Sequence, residues 1–368
     1  MAGIRPLVEA DLVRVSDLIW KVLHEQQGPA PPSLKAYVDE LFLQNPWLDE
    51  SVHSLVYEDS EGKIVGFFGV VPRSMLIQGR NVRLAFGSNF VVEAGSRASF
   101  AAMQLVSAFM KGPQDISITD SATEGARQLL KSLGFTVVPI YSLIWARPLR
   151  PLQYGLHGAA RLKKNKTIAT IGTLGSPLFR VADYMAATMK VSPLHQTAPA
   201  LKAEALDTDT LVQCLSRIPS KHWLVPQYNR ESLEWVLKFV AKRNAYGDLR
   251  KILLRDEKGK INGWYIYGWT PGAIGEVLQI GVEGASVGKV LDHLFHDAWQ
   301  HNLIGLHGRL EPQFMEELTQ RSSFFLRTGS WTLAHSRTPE LLGPIFSGNA
   351  FFSRLDGEGC LRFGDAQA

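Results

Sequence analysis

The hydrophobic and polar positions of the chain alternate in blocks that predict strands and helices in a repeated order. An apolar run ends at a turn built on Asp, Gly and Lys, and a second apolar run follows, which is typical of a β-hairpin. This pattern occurs at 59–68, DSEGKIVGFF, and again at 256–265, DEKGKINGWY. Because each copy is followed by the same order of elements, we interpret the echo as an internal duplication of a domain-sized unit.

The elements that follow the first hairpin can be predicted from periodicity and from turn residues. They are a strand at 82–92, a helix at about 97–111, a strand at 115–120, a helix at about 122–133 and one further strand in FTVVPIYSLIWA. The second of these helices is expected to begin with a capping box of Ser121 and Glu124 and to end at Gly134. The second hairpin is followed likewise by a strand at 274–282 and a helix at about 286–301.

This order of elements predicts an α+β fold with two domains, each a mixed, mostly antiparallel sheet flanked by helices. Two domains also fit the length of 368 residues. We place the boundaries at 1–147 for the N-terminal domain, 148–200 for a helical and loop connector, and 201–368 for the C-terminal domain.

Composition adds few constraints to this picture. The net charge of +4 is small for the length and favours no nucleic-acid partner. The one short basic cluster, RLKKNK at 161–166, is interpreted as a solvated linker, with an anion or membrane-surface site as the alternative. Two distant cysteines, no apolar leader and no long apolar stretch predict a cytoplasmic protein that does not contact a membrane.

Two segments then carry a resemblance to a known family. The strand FVV, Arg97 and a loop into a helix resemble the acyl-CoA-binding segment of the GNAT superfamily of N-acyltransferases. ATEGARQLLKSLGF at 122–135 looks like the next helix of that family, which typically ends in Leu-Gly-Phe. Residues 203–336 resemble it more faintly, so the chain looks like a tandem GNAT-like protein.

The resemblance implies an acyl-CoA site, holding acetyl-CoA or a longer acyl-CoA, at the start of this helix. Backbone N–H groups at a helix N-terminus can bind a pyrophosphate, and glycine lets the backbone come close. The residues matching the family's loop are Arg97, Ala98, Ser99, Phe100, Ala101 and Ala102, with Val91, Val92 and Thr123 beside them. Phe100 stands where the family usually has glycine, so we expect its ring to point into the core. A structural loop that binds no ligand is the alternative.

The corresponding loop of the second half, 283–288, is a weaker candidate. It contains more glycine, but Glu283 stands where the arginine would be, and a carboxylate repels a pyrophosphate. We therefore expect the N-terminal half to bind acyl-CoA and the C-terminal half to shape the acceptor site.

The family commonly uses a carboxylate as the base that deprotonates the acceptor amine. Glu93 and Asp120 follow or end the two strands that should part to admit a thioester, so they are the candidate bases. A helix cap or a solvated strand end is the alternative for each. Leu130 stands where the family often has the tyrosine that protonates the leaving thiolate, and leucine cannot donate a proton.

The sequence therefore predicts an acyltransferase that moves an acyl group from acyl-CoA to an amine of a small molecule, sugar or peptide. Two alternatives are a non-catalytic GNAT-fold binding or assembly protein and a Fem-like aminoacyl transferase.

No metal cofactor is expected, because no established metal-binding pattern is present. His293, His296 and Asp297 share one helix face and are interpreted as part of a solvated amphipathic helix. The C-terminal segment NAFFSRLDGEGCLRF at 349–363 is interpreted as a loop and a strand pair without chemistry.

Overall fold

The structure is a computed structural model that describes residues 3–95, 98–163, 176–189, 191–218, 223–242, 246–283 and 287–363. Within these residues the strands are β1 Gly3–Pro6, β2 Leu55–Glu58, β3 Ile64–Ile77, β4 Arg80–Val92, β5 Ile116–Ala122, β6 Thr136–Val137, β7 Leu143–Pro148, β8 Lys202–Ala205, β9 Leu224–Pro226, β10 Asp248–Arg255, β11 Ile261–Trp269, β12 Ile274–Val282, β13 Gly305–Arg309, β14 Phe324–Arg327 and β15 Trp331–His335. The helices are α1 Leu12–Leu23, α2 Pro32–Phe42, α3 Ala98–Met110, α4 Glu124–Ser132, α5 Pro151–Lys163, α6 Ser176–Thr188, α7 Thr208–Ser216, α8 Arg230–Ala241, α9 Val287–Gln300, α10 Met315–Gln320 and α11 Gly343–Phe346. These helices and mixed sheets confirm the predicted α+β class.

The chain divides into two compact units that are not contiguous in sequence. The first comprises Met1–Ser142, Ile218–Phe239 and Gly329–Gly364, and the second comprises Leu143–Arg217, Val240–Thr328 and Asp365–Ala368. The first sheet has the order β1-β2-β3-β4-β5-β15-β6, with β9 also paired to β3. The second has the order β8-β10-β11-β12-β13-β7-β14.

The two sheets match strand by strand, as the internal echo predicts. In both, the fourth and fifth strands of the order form the parallel pair, β4 with β5 and β12 with β13, and the other neighbours are antiparallel. In both, the sixth strand comes from a remote part of the chain, β15 in the first sheet and β7 in the second. The units therefore differ from the predicted contiguous domains at these two strands, and also because 218–239 belongs to the first unit and the predicted connector, 148–200, belongs to the second.

The two hairpins that carry the echo have the same local structure. The Asp59 carboxylate accepts the backbone N–H groups of the second and fourth residues after it, and Asp256 does the same in the second hairpin. Gly62 and Gly259 have φ of +78° and +80°, a conformation that glycine adopts without a side-chain penalty. The Asp and Gly positions of the repeated motif thus close both turns.

Helices cover both faces of the first sheet. Phe67 and Phe68 are neighbours on β3, so their side chains point to opposite faces. Phe67 contacts Phe42 of α2, with ring centroids 5.3 Å apart, and Phe68 stacks on Phe109 of α3 at 4.6 Å. Hence α2 lies on one face and α3 on the other, where α4 joins the same core through Leu130.

Four local expectations are corrected by the structure. The N-cap of α4 is Thr123 rather than Ser121, which lies inside β5. The expected single strand FTVVPIYSLIWA is two strands, β6 and β7, in different sheets, because Pro139 has no N–H to continue a ladder. Segment 349–363 forms short 3-10 turns at 354–356 and 358–360 and no strand.

The fourth correction concerns the helix face with His293 and Asp297, which is buried rather than solvated. His293 Nδ1 lies 3.0 Å from the Tyr265 hydroxyl, and the Asp297 carboxylate accepts from Tyr267 at 2.7 Å and from Arg250. Sheet residues therefore supply the polar partners that were expected to be water.

No group of three or more potential metal ligands is found among the described residues. Among them, likewise, no helix is long and apolar enough to cross a bilayer.

Candidate functional site

The candidate site lies in the first unit, where β4 and β5 separate. The two strands pair through only three residues, Leu84–Phe86 with Ile116–Ile118, although β4 continues to Val92 and β5 to Ala122. The other edge of β5 is paired with β15 as far as Ala122. The edge of β5 that faces β4 is therefore open beyond Ile118.

A β-bulge in β4 marks the point of separation. The β3–β4 register shifts between Phe67 and Gly69, where β4 contains one extra residue, and Asn89 has φ of +49°. A bulge of this kind leaves a residue out of the ladder and bends the strand. The bulge places the Asn89 N–H beside the space between β4 and β5.

The side chain of Glu358 occupies this space. Its carboxylate accepts the Asn89 N–H at 3.4 Å, the Thr119 hydroxyl at 3.4 Å and the Ser121 hydroxyl at closer range. Its own N–H donates to the Asp120 carboxylate at 3.1 Å. Since side chains 119 and 121 point to one face of the sheet and 120 to the other, a residue that contacts all three lies at the strand edge itself.

Burial governs the protonation of Glu358. The residue is 5% exposed, and burial raises the pKa of its carboxyl above the ordinary range. The Arg362 guanidinium, 3.6 Å from the carboxylate, opposes this shift, whereas the neighbouring Asp120 adds to it. Glu358 therefore takes up and holds a proton more readily than a solvated glutamate does.

This shift predicts a pH dependence of stability. A carboxyl whose pKa is higher in the folded state contributes stability below its unfolded pKa of about 4.5 and loses it as pH rises through the folded pKa. Glu358→Gln cannot ionise, so its free energy of unfolding, relative to wild type, should increase as pH rises from about 4 to 8. Denaturant titrations of both proteins across this range measure the difference, and a difference independent of pH would contradict the raised pKa.

The segment that carries Glu358 is anchored by a second buried carboxyl, Asp356. Asp356 accepts the Tyr228 hydroxyl at 2.6 Å and the Ser353 N–H at 2.9 Å, and Ser353 caps the turn at 354–356. Burial raises the pKa of Asp356. Nearby, Arg73 is 4% exposed and stacks on Trp47 with its Cζ 3.4 Å from the ring centroid. These contacts fix the backbone two residues before Glu358.

Aromatic side chains form the other border of the site. The Tyr37 hydroxyl of α2 accepts from the Asn89 side-chain amide at 2.7 Å. From Tyr37 the rings continue through Phe363, 5.4 Å away between centroids, to His24 and then Trp20 of α1. Burial lowers the pKa of His24. We call Trp20, His24, Tyr37 and Phe363 the aromatic wall.

The predicted bases occupy different environments. Asp120 lies within β5 beside Glu358, and Thr123 rather than Asp120 caps α4 by accepting the Ala126 N–H at 3.4 Å. Glu93 follows β4 and forms ion pairs with Lys21 at 2.6 Å and Lys63 at 2.7 Å. These lysines lower the pKa of Glu93, which makes it a weak proton acceptor.

The predicted cofactor residues lie along the start of α3. Val91 and Val92 end β4, and Ala98–Ala102 form the first turns of the helix. A cavity of about 340 Å³ lies beside them, lined by residues that include Lys63, Glu93, Gly95, Ala98 and Ala101. Arg97 lies outside the described residues.

Phe100 differs from its expected orientation. It is 51% exposed, whereas Ala101 is the residue of this turn that enters the core. The ring stands on the outward face of α3 because the sheet-facing positions are taken by Ala101, Leu105 and Phe109. Leu130 is 3% exposed within the same core, where it has neither a hydroxyl nor access to solvent.

The weaker cofactor candidate was the loop 283–288 of the second half. Its residues 284–286 lie outside the described residues, but the residues at its two ends can be described. The Glu283 carboxylate pairs with Arg217 at 3.2 Å, which offsets its charge. At the other end, a Cβ on Gly288 would approach the Arg321 guanidinium to 2.3 Å. The first turn of α9 is therefore covered by a side chain that is itself paired with Asp292.

Comparison with solved structures identifies the fold. A GCN5-related N-acetyltransferase from Anabaena variabilis matches with a TM-score of 0.58 and 11% identity, over 91% of this chain and 73% of that one. A protein from Enterococcus faecalis described as a probable N-acyltransferase matches with 0.58 and 10%, over 91% and 73%. A GCN5-related N-acetyltransferase from Kribbella flavida matches with 0.53 and 11%, over 91% and 71%. The chain therefore has a GNAT-like fold, as the resemblance implied.

The likeness at this level of identity concerns the fold alone. No protein-family model matches the sequence, and no curated protein matches it.

Proposed function

We propose that the protein transfers an acyl group from an acyl-CoA thioester to an amine, and that the chemistry takes place between β4 and β5. The observation that carries this proposal is the placement of Glu358, a buried carboxyl with a raised pKa, beside a bulge N–H at the open edge of β5. An amine must lose a proton when it attacks a carbonyl carbon, so the reaction requires a general base of this kind.

The Asn89 N–H would serve as the oxyanion donor. Asn89 lies at the bulge, where the β3–β4 register shifts, and its N–H donates a long hydrogen bond, at 3.4 Å, to Glu358. A thioester carbonyl oxygen would compete for this donor, because negative charge develops on that oxygen during attack. Once the thioester had displaced the Glu358 carboxylate from Asn89, the carboxylate could turn to face the incoming amine.

The acyl transfer then balances with residues of this site. The neutral amine attacks the carbonyl carbon, its proton passes to Glu358, and the C–S bond breaks to release CoA thiolate. A thiol has a pKa of about 8.5, so the thiolate can leave without a protein acid at neutral to weakly basic pH. The absence of a hydroxyl at Leu130 is compatible with this chemistry.

The two sides of the site suit the two substrates. The start of α3 offers backbone N–H groups, and the sequence places Arg97 there, which suits a pyrophosphate. The aromatic wall offers apolar surface and ring faces, which attract cationic amines. We therefore assign acyl-CoA to the α3 side and the amine acceptor to the α1–α2 side.

Titration of CoA tests the first assignment. We expect acetyl-CoA, a longer acyl-CoA or free CoA to bind to the wild type, and Arg97→Glu to weaken binding at least about tenfold through loss of a charge-assisted contact. Lys131→Glu, an equal charge change at the far end of α4, should bind like wild type. Calorimetry measures all three proteins. No heat with any CoA species would refute the acyl-CoA proposal, and unchanged binding by Arg97→Glu would move the pyrophosphate away from α3.

A second candidate function is a non-catalytic GNAT-fold binding or assembly protein. The observation that favours it is that Glu358 already fills the space a thioester would need. An assay of turnover distinguishes the two candidates. A transferase releases CoA thiol from acyl-CoA in the presence of an amine, whereas a non-catalytic protein releases none.

A further inference from the structure

Arg73, on β3 of the first unit, is a buried arginine to which the chemistry proposed above gives no role. It is 4% exposed, and it lies on the same face of the sheet as Phe67, six residues earlier on the strand. None of its three nitrogens, Nε, Nη1 and Nη2, has a hydrogen-bond partner in the part of the chain that the structure describes. A buried charge without a partner lowers stability, so its presence needs an explanation, and a bound anion would supply the missing partner.

The polar groups around Arg73 direct their hydrogen bonds elsewhere. Tyr228, Cys360 and Asp356 interact with it electrostatically. The Tyr228 hydroxyl donates to the Asp356 carboxylate at 2.6 Å, and the Cys360 thiol donates to the carbonyl of Leu355 at 3.3 Å. Burial outweighs the attraction of these neighbours and lowers the pKa of Arg73. The folded protein therefore still disfavours the charge of Arg73, and one more anionic group beside it would be stabilising.

The stacking of Arg73 on Trp47 selects the shape of that anion. The Cζ of Arg73 lies 3.4 Å from the centroid of the Trp47 ring, so the ring covers one face of the guanidinium. The N–H groups of a guanidinium lie in its plane and point outward from its edge. A carboxylate is planar and can accept two parallel hydrogen bonds in this plane. A phosphate or sulfate is tetrahedral, and its oxygens above the plane would meet the ring. The geometry therefore favours a carboxylate.

The side chain that covers Arg73 is itself close to solvent. Trp47 follows α2 in a loop and is partly exposed, and the next residue, Leu48, is 51% exposed. The Trp47 ring meets the partly exposed rings of Tyr228 and Trp235 at centroid distances of 6.1 and 5.5 Å. The donors of Arg73 are thus separated from solvent by the thickness of one ring. We propose that Arg73 binds the carboxylate of a ligand that enters beside Trp47, at a site that does not depend on the acyl transfer proposed above.

Thermal melts in sodium acetate and in sodium chloride, at equal ionic strength and pH, test this proposal. Salts also stabilise proteins by exclusion from their surface, so the measured quantity is the acetate shift of the wild type minus that of Arg73→Met. We expect this difference to be about 2 °C when acetate is at ten times its dissociation constant. Arg73→Lys keeps the charge but not the planar pair of donors, so it should retain only a small part of the shift.

The same melts in sodium chloride alone give a second readout. Arg73→Met should melt at the temperature of the wild type or above it, because an apolar side chain in place of a buried charge without a partner is neutral or stabilising. Arg83→Met is the matched control. It removes the same charge from the same sheet, where Arg83 pairs with Ser74, next to Arg73, and its side chain is 51% exposed. This variant should keep the whole acetate shift. Trialanine and its C-terminal amide then show whether the ligand carboxylate can be that of a peptide or only that of a small free acid.

Three outcomes would overturn the proposal. The first is an acetate shift that is equal in the wild type and in Arg73→Met, or that is lost equally in Arg83→Met. The second is a difference of the same size with phosphate or sulfate, since the site would then recognise charge without regard to shape. The third is an Arg73→Met protein that melts well below the wild type in sodium chloride or does not fold, because Arg73 would then be a structural partner of Asp356.

Discussion

Glu358→Gln is expected to lower the rate of acyl transfer about 10²- to 10⁴-fold, the usual contribution of a general base. Glutamine keeps the shape of the side chain and can still fill the space between β4 and β5, but it cannot accept a proton from the amine. The measurement is release of CoA thiol from the acyl-CoA that binds best, with a panel of primary amines as acceptors. The Michaelis constant for acyl-CoA should change little, because the substitution removes no charge from the α3 side.

Variants of Glu93 and Asp120, the two bases suggested by the sequence, serve as the comparison for Glu358→Gln. Among the described residues, Glu93 forms ion pairs with Lys21 and Lys63, and both pairs are partly exposed. Glu93→Gln breaks these pairs, so activity should stay within about threefold of wild type. Asp120→Asn leaves the Glu358 N–H with an acceptor, so it should cost less than Glu358→Gln. Full activity in Glu358→Gln, together with loss in either of the other two variants, would show that the base is one of the residues suggested by the sequence.

Asp356→Ala is expected to lower the free energy of unfolding by about 3 kcal/mol and to reduce activity as strongly as a change at Glu358. The substitution leaves the buried Tyr228 hydroxyl and the Ser353 N–H without the carboxylate that accepts from them, and it removes a carboxyl that interacts electrostatically with the buried Arg73. The turn before Glu358 should then lose its fixed geometry. Denaturant unfolding and the thiol-release assay measure the two effects.

A milder change at the same anchor separates the two effects. Tyr228→Phe removes one hydrogen bond and keeps the ring that packs against Trp47, so it should cost about 1 kcal/mol and leave most activity. If Asp356→Ala were as active as wild type, the position of Glu358 would not depend on this anchor, and the proposed role of the C-terminal segment would be wrong.

Local signals made much of the fold predictable. Each hairpin turn is closed by an aspartate side chain that accepts backbone N–H groups and by a glycine with positive φ, namely Asp59 with Gly62 and Asp256 with Gly259. The two hairpins can therefore be predicted from a few neighbouring residues. Helix α3 follows from its apolar spacing, and α4 follows from its terminating glycine, Gly134. The hypothesis of a duplication follows from the repetition of these signals.

The candidate site depended instead on contacts remote in sequence. Glu358 meets Ser121 from 237 positions away, and no periodicity or turn signal links the two segments. Within LDGEGC the glutamate stands between two glycines, a composition that indicates a loop but not where the loop packs. The one usable hint was that buried polar groups need partners, and Thr119, Asp120 and Ser121 form a polar run inside a fully buried strand.

The exchanged strands constrain how the protein can be made. Strand β5 receives its antiparallel neighbour only from β15, with Ile118 opposite Ala334, so more than half of the chain is synthesised between the two. A nascent chain that has emerged only as far as β6 therefore holds an incomplete sheet with an exposed edge, the kind of surface that promotes aggregation. Folding of the first unit must await the synthesis of β15, which follows the strands of the second unit in the sequence. Late folding of the first unit, rather than domain-by-domain folding from the N-terminus, is therefore a property of this topology.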